Sequence, residues 1–276
     1  MTTKILVPTD FSEVAHSAIQ HSVKFASIID AEVILLHIVS SRDDINSAKD
    51  KLEVEVGLGE AFSPSCNIST TVRVGNIFDD IGDAASELGV SLIFMGTHGA
   101  SGWQKITGSH ALKVITNSYV PFIVVQDQLM NETGYDSIVV PLDLNKETKQ
   151  KLEMVASMAV YFDSEVHLIT PNESDEFLNN KLKANRAWAA KYLKGKNVKF
   201  TTHVVNKGDS LTEGIFKLSK EIDADLISIM NLQSNSLMGV LGSSYQQEII
   251  ANKLKIPVLC INPLESTVAS ASILVR

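Results

Sequence analysis

The chain is written twice. Ile5-Leu6-Val7-Pro8-Thr9-Asp10 returns as Ile138-Val139-Val140-Pro141-Leu142-Asp143, an offset of 133 residues. The same offset carries Ala31-Glu32-Val33 onto Ser164-Glu165-Val166 and Gly75 onto Gly208. An offset of 134 carries Leu92-Ile93 onto Leu226-Ile227 and Gly108-Ser109 onto Gly242-Ser243. Matches in order at nearly constant spacing mark a duplicated unit, which fixes the domain count before any element is assigned. The expected domains are 1–127 and 135–265, divided where Asp127, Asn131, Glu132, Thr133 and Gly134 interrupt the apolar pattern.

Each unit alternates strand and helix. Lys4 to Pro8 reads as a short buried strand, and Ala15, Ile19, Val23 and Ala26 share one face of a helix over Ser12 to Ile28. Val33-Ile34-Leu35-Leu36 is unbroken, as in a strand buried on both faces. A helix from Asp44 to Phe62, a strand from Ile68 to Val74 and a helix from Ile77 to Leu88 follow. Leu92 to Met95, Ser109 to Asn117 and Pro121 to Val125 complete the unit as strand, helix and strand. In the second unit Ser174 to Lys194 is the clearest helix, with Gly195 placed for a left-handed end. Such alternation predicts α/β domains, each a doubly wound parallel sheet between helices.

Two segments carry chemistry. Gly96-Thr97-His98-Gly99 follows the apolar run Ser91 to Met95, and Gly108-Ser109 comes eight residues later. A strand that ends in a glycine-rich loop and enters a helix offers close backbone approach and free N–H groups to a phosphate. Both glycines also suit an ordinary turn. Val7-Pro8-Thr9-Asp10 ends the first strand with a carboxylate that can grip a ribose or base, or cap the next helix.

Together with Leu36-His37-Ile38-Val39 and Val74-Gly75-Asn76-Ile77, these segments resemble the universal stress protein family, in a tandem two-domain form. The spacer Ala100 to Thr107 is one residue shorter than in the family's nucleotide signature. The resemblance implies an adenine nucleotide alpha hydrolase-like fold with strand order 3-2-1-4-5. It also implies a nucleotide site made by Pro8, Thr9, Asp10, Val39, Met95, Gly96, His98, Gly99, Gly108, Ser109 and His110. The ligand that the resemblance implies is ATP or another adenine nucleotide, with or without Mg2+. With that order the first and fourth strands meet where strand order reverses, and ligands bind at such points. The expected role is stress-response regulation through nucleotide occupancy and protein partners. An interaction protein that binds no nucleotide is the alternative, and a slow ATPase a weaker one.

In the second unit Met230, Asn231, Leu232 and Gln233 stand where the first has Gly96, Thr97, His98 and Gly99, and Asn172 follows Pro171 in place of Val39. This copy is expected to have lost nucleotide and kept a pairing role. Phe122-Val125 and Val258-Ile261 are short apolar last strands, hazardous as open edges. In the family such strands pair between subunits, so here they are expected to pair antiparallel within one chain, with a further homodimer left open.

The remaining composition mainly excludes. A net charge of −8 opposes an extended nucleic-acid surface. Cys66 and Cys260 are too few and too far apart for a disulfide framework or zinc site. His16, His21 and His110 show no metal-ligand spacing, and His98 no catalytic partner. No apolar run reaches membrane-spanning length, and the N-terminus enters a strand without a signal-like segment, which makes a cytoplasmic location the expectation.

Overall fold

The computed structural model describes residues 2–97, 108–144, 148–231 and 243–263. Strands and helices alternate through the first half as β1 (Lys4–Pro8), α1 (Glu13–Ile29), β2 (Glu32–Val39), α2 (Ile45–Phe62), β3 (Asn67–Val74), α3 (Ile77–Leu88), β4 (Leu92–Gly96), α4 (Gly108–Thr116) and β5 (Phe122–Val125). The second half repeats them as β6 (Ser137–Pro141), α5 (Thr148–Phe162), β7 (Glu165–Thr170), α6 (Glu176–Gly195), β8 (Lys199–Val204), α7 (Leu211–Glu221), β9 (Leu226–Met230), α8 (Ser243–Ile250) and β10 (Val258–Ile261).

All strands join one ten-stranded sheet in the order β3-β2-β1-β4-β5-β10-β9-β6-β7-β8. Each half therefore has the order 3-2-1-4-5, and pairing inside a half is parallel, as helical crossovers require. At the seam the direction reverses: Phe122, Ile123 and Val124 pair antiparallel with Cys260, Leu259 and Val258. Two strands that would be apolar edges lie instead at the centre of the sheet, fully buried. Helices α1, α2, α5 and α6 bury their apolar stripes on one face, and α3, α4, α7 and α8 theirs on the other.

A pseudo-twofold axis runs through the seam, and polar side chains clasp it symmetrically. Gln126 Nε2 donates to Asn252 O at the end of α8 (2.9 Å), while Asn262 Nδ2 donates to Ile115 O (2.6 Å) and Ser118 O at the end of α4. The segment joining the halves is buried rather than looped out. Gln20 pairs with the Met130 backbone in both directions, and His21 lies between Tyr135 Oη (2.9 Å) and Gln128 O (3.0 Å). Phe25, Phe94, Tyr135 and Phe162 form an aromatic cluster across the axis. Gly134 (φ 95°) turns the chain against it, where a Cβ would sit 2.3 Å from the Phe162 ring.

Helix ends depart from the sequence reading in two places. The N-cap of α1 is Ser12, whose hydroxyl accepts from Ala15 N; Asp10 does not cap the helix. At the end of α6 the left-handed residue is Asn197 (φ 58°), not Gly195, because the helix runs on through Gly195 and Lys196 N–H still bonds back to it. Asp44 belongs to a 3-10 turn, Arg42–Asp44, that leads into α2. Both cysteines are free, and burial of Cys260 pushes its thiol pKa up. No helix among the described residues is long and apolar enough to cross a membrane.

Candidate functional site

Strands β1 and β4 pair only through Ile5 with Leu92 and Leu6 with Ile93. Beyond those residues β1 stays with β2 to Pro8, and β4 stays with β5 to Gly96. The two strands separate at their carboxyl ends and leave a crevice where strand order reverses. Pro8, Thr9 and Asp10 leave β1 there, Met95 and Gly96 close β4, and Val39 closes β2. Gly108, Ser109 and His110 form the first turn of α4. His98 and Gly99 lie outside the described residues.

The β1–α1 turn is held from below. Thr9 is fully buried; its N–H donates to Leu36 O (2.8 Å) and its Oγ1 accepts from Phe11 N (3.0 Å). His37 Nδ1 donates to Thr9 O (2.7 Å), and its ring lies 4.3 Å from that of Phe11, whose φ is 66°. Asp10 Oδ1 accepts from both the backbone N–H (3.1 Å) and the hydroxyl (2.5 Å) of Ser12. The carboxylate is thereby oriented by the residue that caps α1.

A second carboxyl, missed in the sequence, stands behind this turn. Glu55 of α2 is 4% exposed, with Oε1 2.9 Å from His16 Nε2 and no partner for Oε2 among the described residues. Burial raises its pKa, His16 opposes the rise, and Asp10 adds repulsion. No motif signals Glu55; only the packing of α2 on α1 brings it here. Gly96 has a packing reason of its own: a Cβ would stand 2.5 Å from Val14 O, so only glycine lets β4 approach the first turn of α1 this closely.

The second half keeps the splay, with β6 and β9 paired only through Ile138 with Leu226 and Val139 with Ile227. Hydrogen bonds fix the correspondence: Thr97 N–H donates to Val125 O as Asn231 N–H does to Ile261 O, both at 2.8 Å. Met230 therefore takes the place of Gly96, and it is buried. Pro171 follows β7, which stops at Thr170, so the stretch matching Val39 is no longer strand. Asn231 turns to the seam, donating to Thr116 Oγ1 (3.0 Å) and Asn262 Oδ1 (2.7 Å).

What remains of this crevice is a cavity of about 10 Å³, lined by Pro141, Asp143, Lys151, Met230, Tyr245 and others, room for about one water molecule. Lys151 fills it. At the offset of 133 it replaces Ala18; the residue is 3% exposed and its ammonium donates to Pro141 O at 2.5 Å. Burial pushes its pKa down to about 8 against the pull of Asp143. Gln233 and Gly242 lie outside the described residues.

The universal stress protein family model matches residues 1–126 and again 134–262. The universal stress protein MJ0577 of Methanocaldococcus jannaschii is 32% identical over 155 residues, which is 46% of this chain and 96% of that protein. A second from the same organism, MJ0531, is 28% identical over 140 residues, 45% of this chain and 81% of that protein. A solved universal stress protein from Archaeoglobus fulgidus aligns over 94% of this chain and 96% of its own, with a TM-score of 0.73 at 21% identity, and so shares the whole fold. The single-unit relatives each correspond to one half, and the doubled match accounts for the repeat. This chain belongs to the universal stress protein family as a tandem, two-unit member.

Proposed function

We propose that the first half binds an adenine nucleotide, ATP being the reference ligand, and that occupancy regulates contacts with protein partners. The observation that carries this reading is the splay of β1 from β4, with Asp10, Val39 and Gly96 around it and α4 opening at Gly108. In this reading Asp10 and the end of β2 hold ribose and base. Gly96, His98, Gly99, Gly108, Ser109 and His110 cradle the phosphates at the start of α4, with Pro8, Thr9 and Met95 as floor. Mg2+, if carried, arrives with the phosphates. The second half, its crevice occupied by Met230 and Lys151, serves as the pairing copy. The proposed units are 1–127 and 135–265, and the proposed location is the cytoplasm.

Calorimetric titration of the full chain with ATP, ADP and AMP tests the reading. Gly99→Val abolishes binding while leaving the fold intact, and Gln233→Val leaves binding unchanged. Asp10→Ala weakens binding about tenfold or more, since a charge-assisted hydrogen bond contributes roughly 1.5–3 kcal/mol. No binding at millimolar nucleotide establishes the alternative, an interaction protein, which the packing explanation for Gly96 favours.

A further inference from the structure

The second half carries a pair of histidines with no counterpart in the first. His167 lies on β7 and His203 on β8, two parallel neighbours at the outer end of the sheet. By register His203 pairs with Ile169, two residues beyond His167, so both rings stand on the same face. Their positions in the first half hold Ile34 and, by register, Thr71. Nδ1 of His167 and Nε2 of His203 face each other at 3.3 Å.

That separation suits more than a hydrogen bond. Two imidazole nitrogens each about 2.0–2.1 Å from a tetrahedral zinc ion stand about 3.3–3.4 Å apart. We propose that His167 Nδ1 and His203 Nε2 form a two-histidine site for a divalent transition-metal ion of the zinc or copper class, with water completing the coordination. Whichever ring now donates moves its proton to its other nitrogen, so the metal enters with no net change in ring protonation. Three features support the pair as ligands. His167 is buried, which disfavours the charged ring and so suits a metal ligand. Glu165, on the same face and held by the Thr201 hydroxyl, adds negative charge that favours a cation. His203 is only partly buried on the last strand of the sheet, and Thr170 Oγ1 donates to its carbonyl (3.3 Å), which fixes its backbone while its ring stays reachable. No group of three or more His, Cys, Asp or Glu suited to a metal occurs among the described residues, so the site is labile rather than structural.

The test uses the untagged full chain. Copper(II) titration should fill one site per chain, with an electron paramagnetic resonance spectrum of two equatorial imidazole nitrogens. Zinc(II) should shift the ring resonances of His167 and His203 among the seven histidines. His203→Gln should weaken copper affinity at least tenfold with an unchanged circular dichroism spectrum, and a His98→Gln/His110→Gln double variant should not. Affinity that survives His203→Gln, is lost in the double variant, or arises from a single imidazole overturns the proposal. The zinc-induced shifts in the unmodified chain decide the matter even if His203→Gln unfolds.

Discussion

The two halves share a topology, a splay between first and fourth strands, and a clasp at the seam, yet different side chains stand at the two splays. In the first, glycine at the end of β4 lets α1 approach, and Ser12 orients Asp10. In the second, Met230 and Lys151 fill the same position from β9 and α5, and Asn231 is drawn into the seam. The backbone architecture is therefore independent of the crevice contents. Side chains at a few positions, Gly96 against Met230 and Ala18 against Lys151 among them, distinguish the two crevices.

The largest expected effect comes from exchanging the residues that differ. Gly96→Met should destabilise by about 3 kcal/mol or more, because a backbone carbonyl blocks the new Cβ. Met230→Gly should cost a similar amount, about 3 kcal/mol, through the cavity it leaves. Urea unfolding reads both. Gly96→Ala costing under about 1 kcal/mol would mean that the approach of α1 does not depend on glycine.

Next comes the pH response. Burial lowers the His21 pKa to about 4, whereas the unfolded ring titrates near 6.5. Between those values the unfolded chain binds the extra proton, so stability is full above pH 6.5 and falls as pH drops toward 4, by about 3 kcal/mol. His21→Gln should remove that contribution from the pH profile. The matching position in the second half is Met154, which contributes nothing of the kind. An unchanged profile in the variant would place the titration elsewhere.

The seam should respond unequally. Asn262→Ala removes bonds to Ile115, Ser118 and Asn231 and should cost about 2 kcal/mol, against about 1 kcal/mol for Gln126→Ala, which loses one to Asn252. Equal losses in thermal unfolding would make the clasp symmetric in energy as well as in place. The smallest effect has the opposite sign. Ser228 replaces Phe94 in the core of β9, fully buried, with a hydroxyl that has no partner among the described residues. Ser228→Ala should stabilise by up to about 1 kcal/mol, and a clear loss would reveal a partner for the hydroxyl.

The fold was largely legible because it rests on patterns: the offset of 133, unbroken apolar runs, and two last strands with apolar edges. That these edges need covering followed from their apolar character, while their antiparallel pairing with each other followed from the resemblance to the family, and it is what forms. Local polar geometry was less legible. Asp10 and Ser12 can both cap a helix, and only the turn at Phe11 decides for Ser12. Gly195 carried the usual signal for a helix end, but Asn197 takes the left-handed conformation. The joining segment read as a polar linker because its anchors, Gln20, His21 and Phe162, lie far away in sequence. Glu55, Lys151 and the His167–His203 pair were invisible for the same reason: each matters through a neighbour that only tertiary packing supplies.

The antiparallel seam has a consequence for how such a chain can change. In a twofold assembly of identical subunits, every substitution appears on both sides of the axis at once. A methionine that closed one crevice would close both. Joining the halves in one polypeptide breaks that rule, since a mutation is then tried once, against an unaltered mate present at fixed stoichiometry whatever the cellular abundance. The β5–β10 junction thus turns a symmetry constraint into a licence to diverge, and Met230, Lys151 and the paired histidines are differences that a strictly twofold ancestor could not have carried on one side alone.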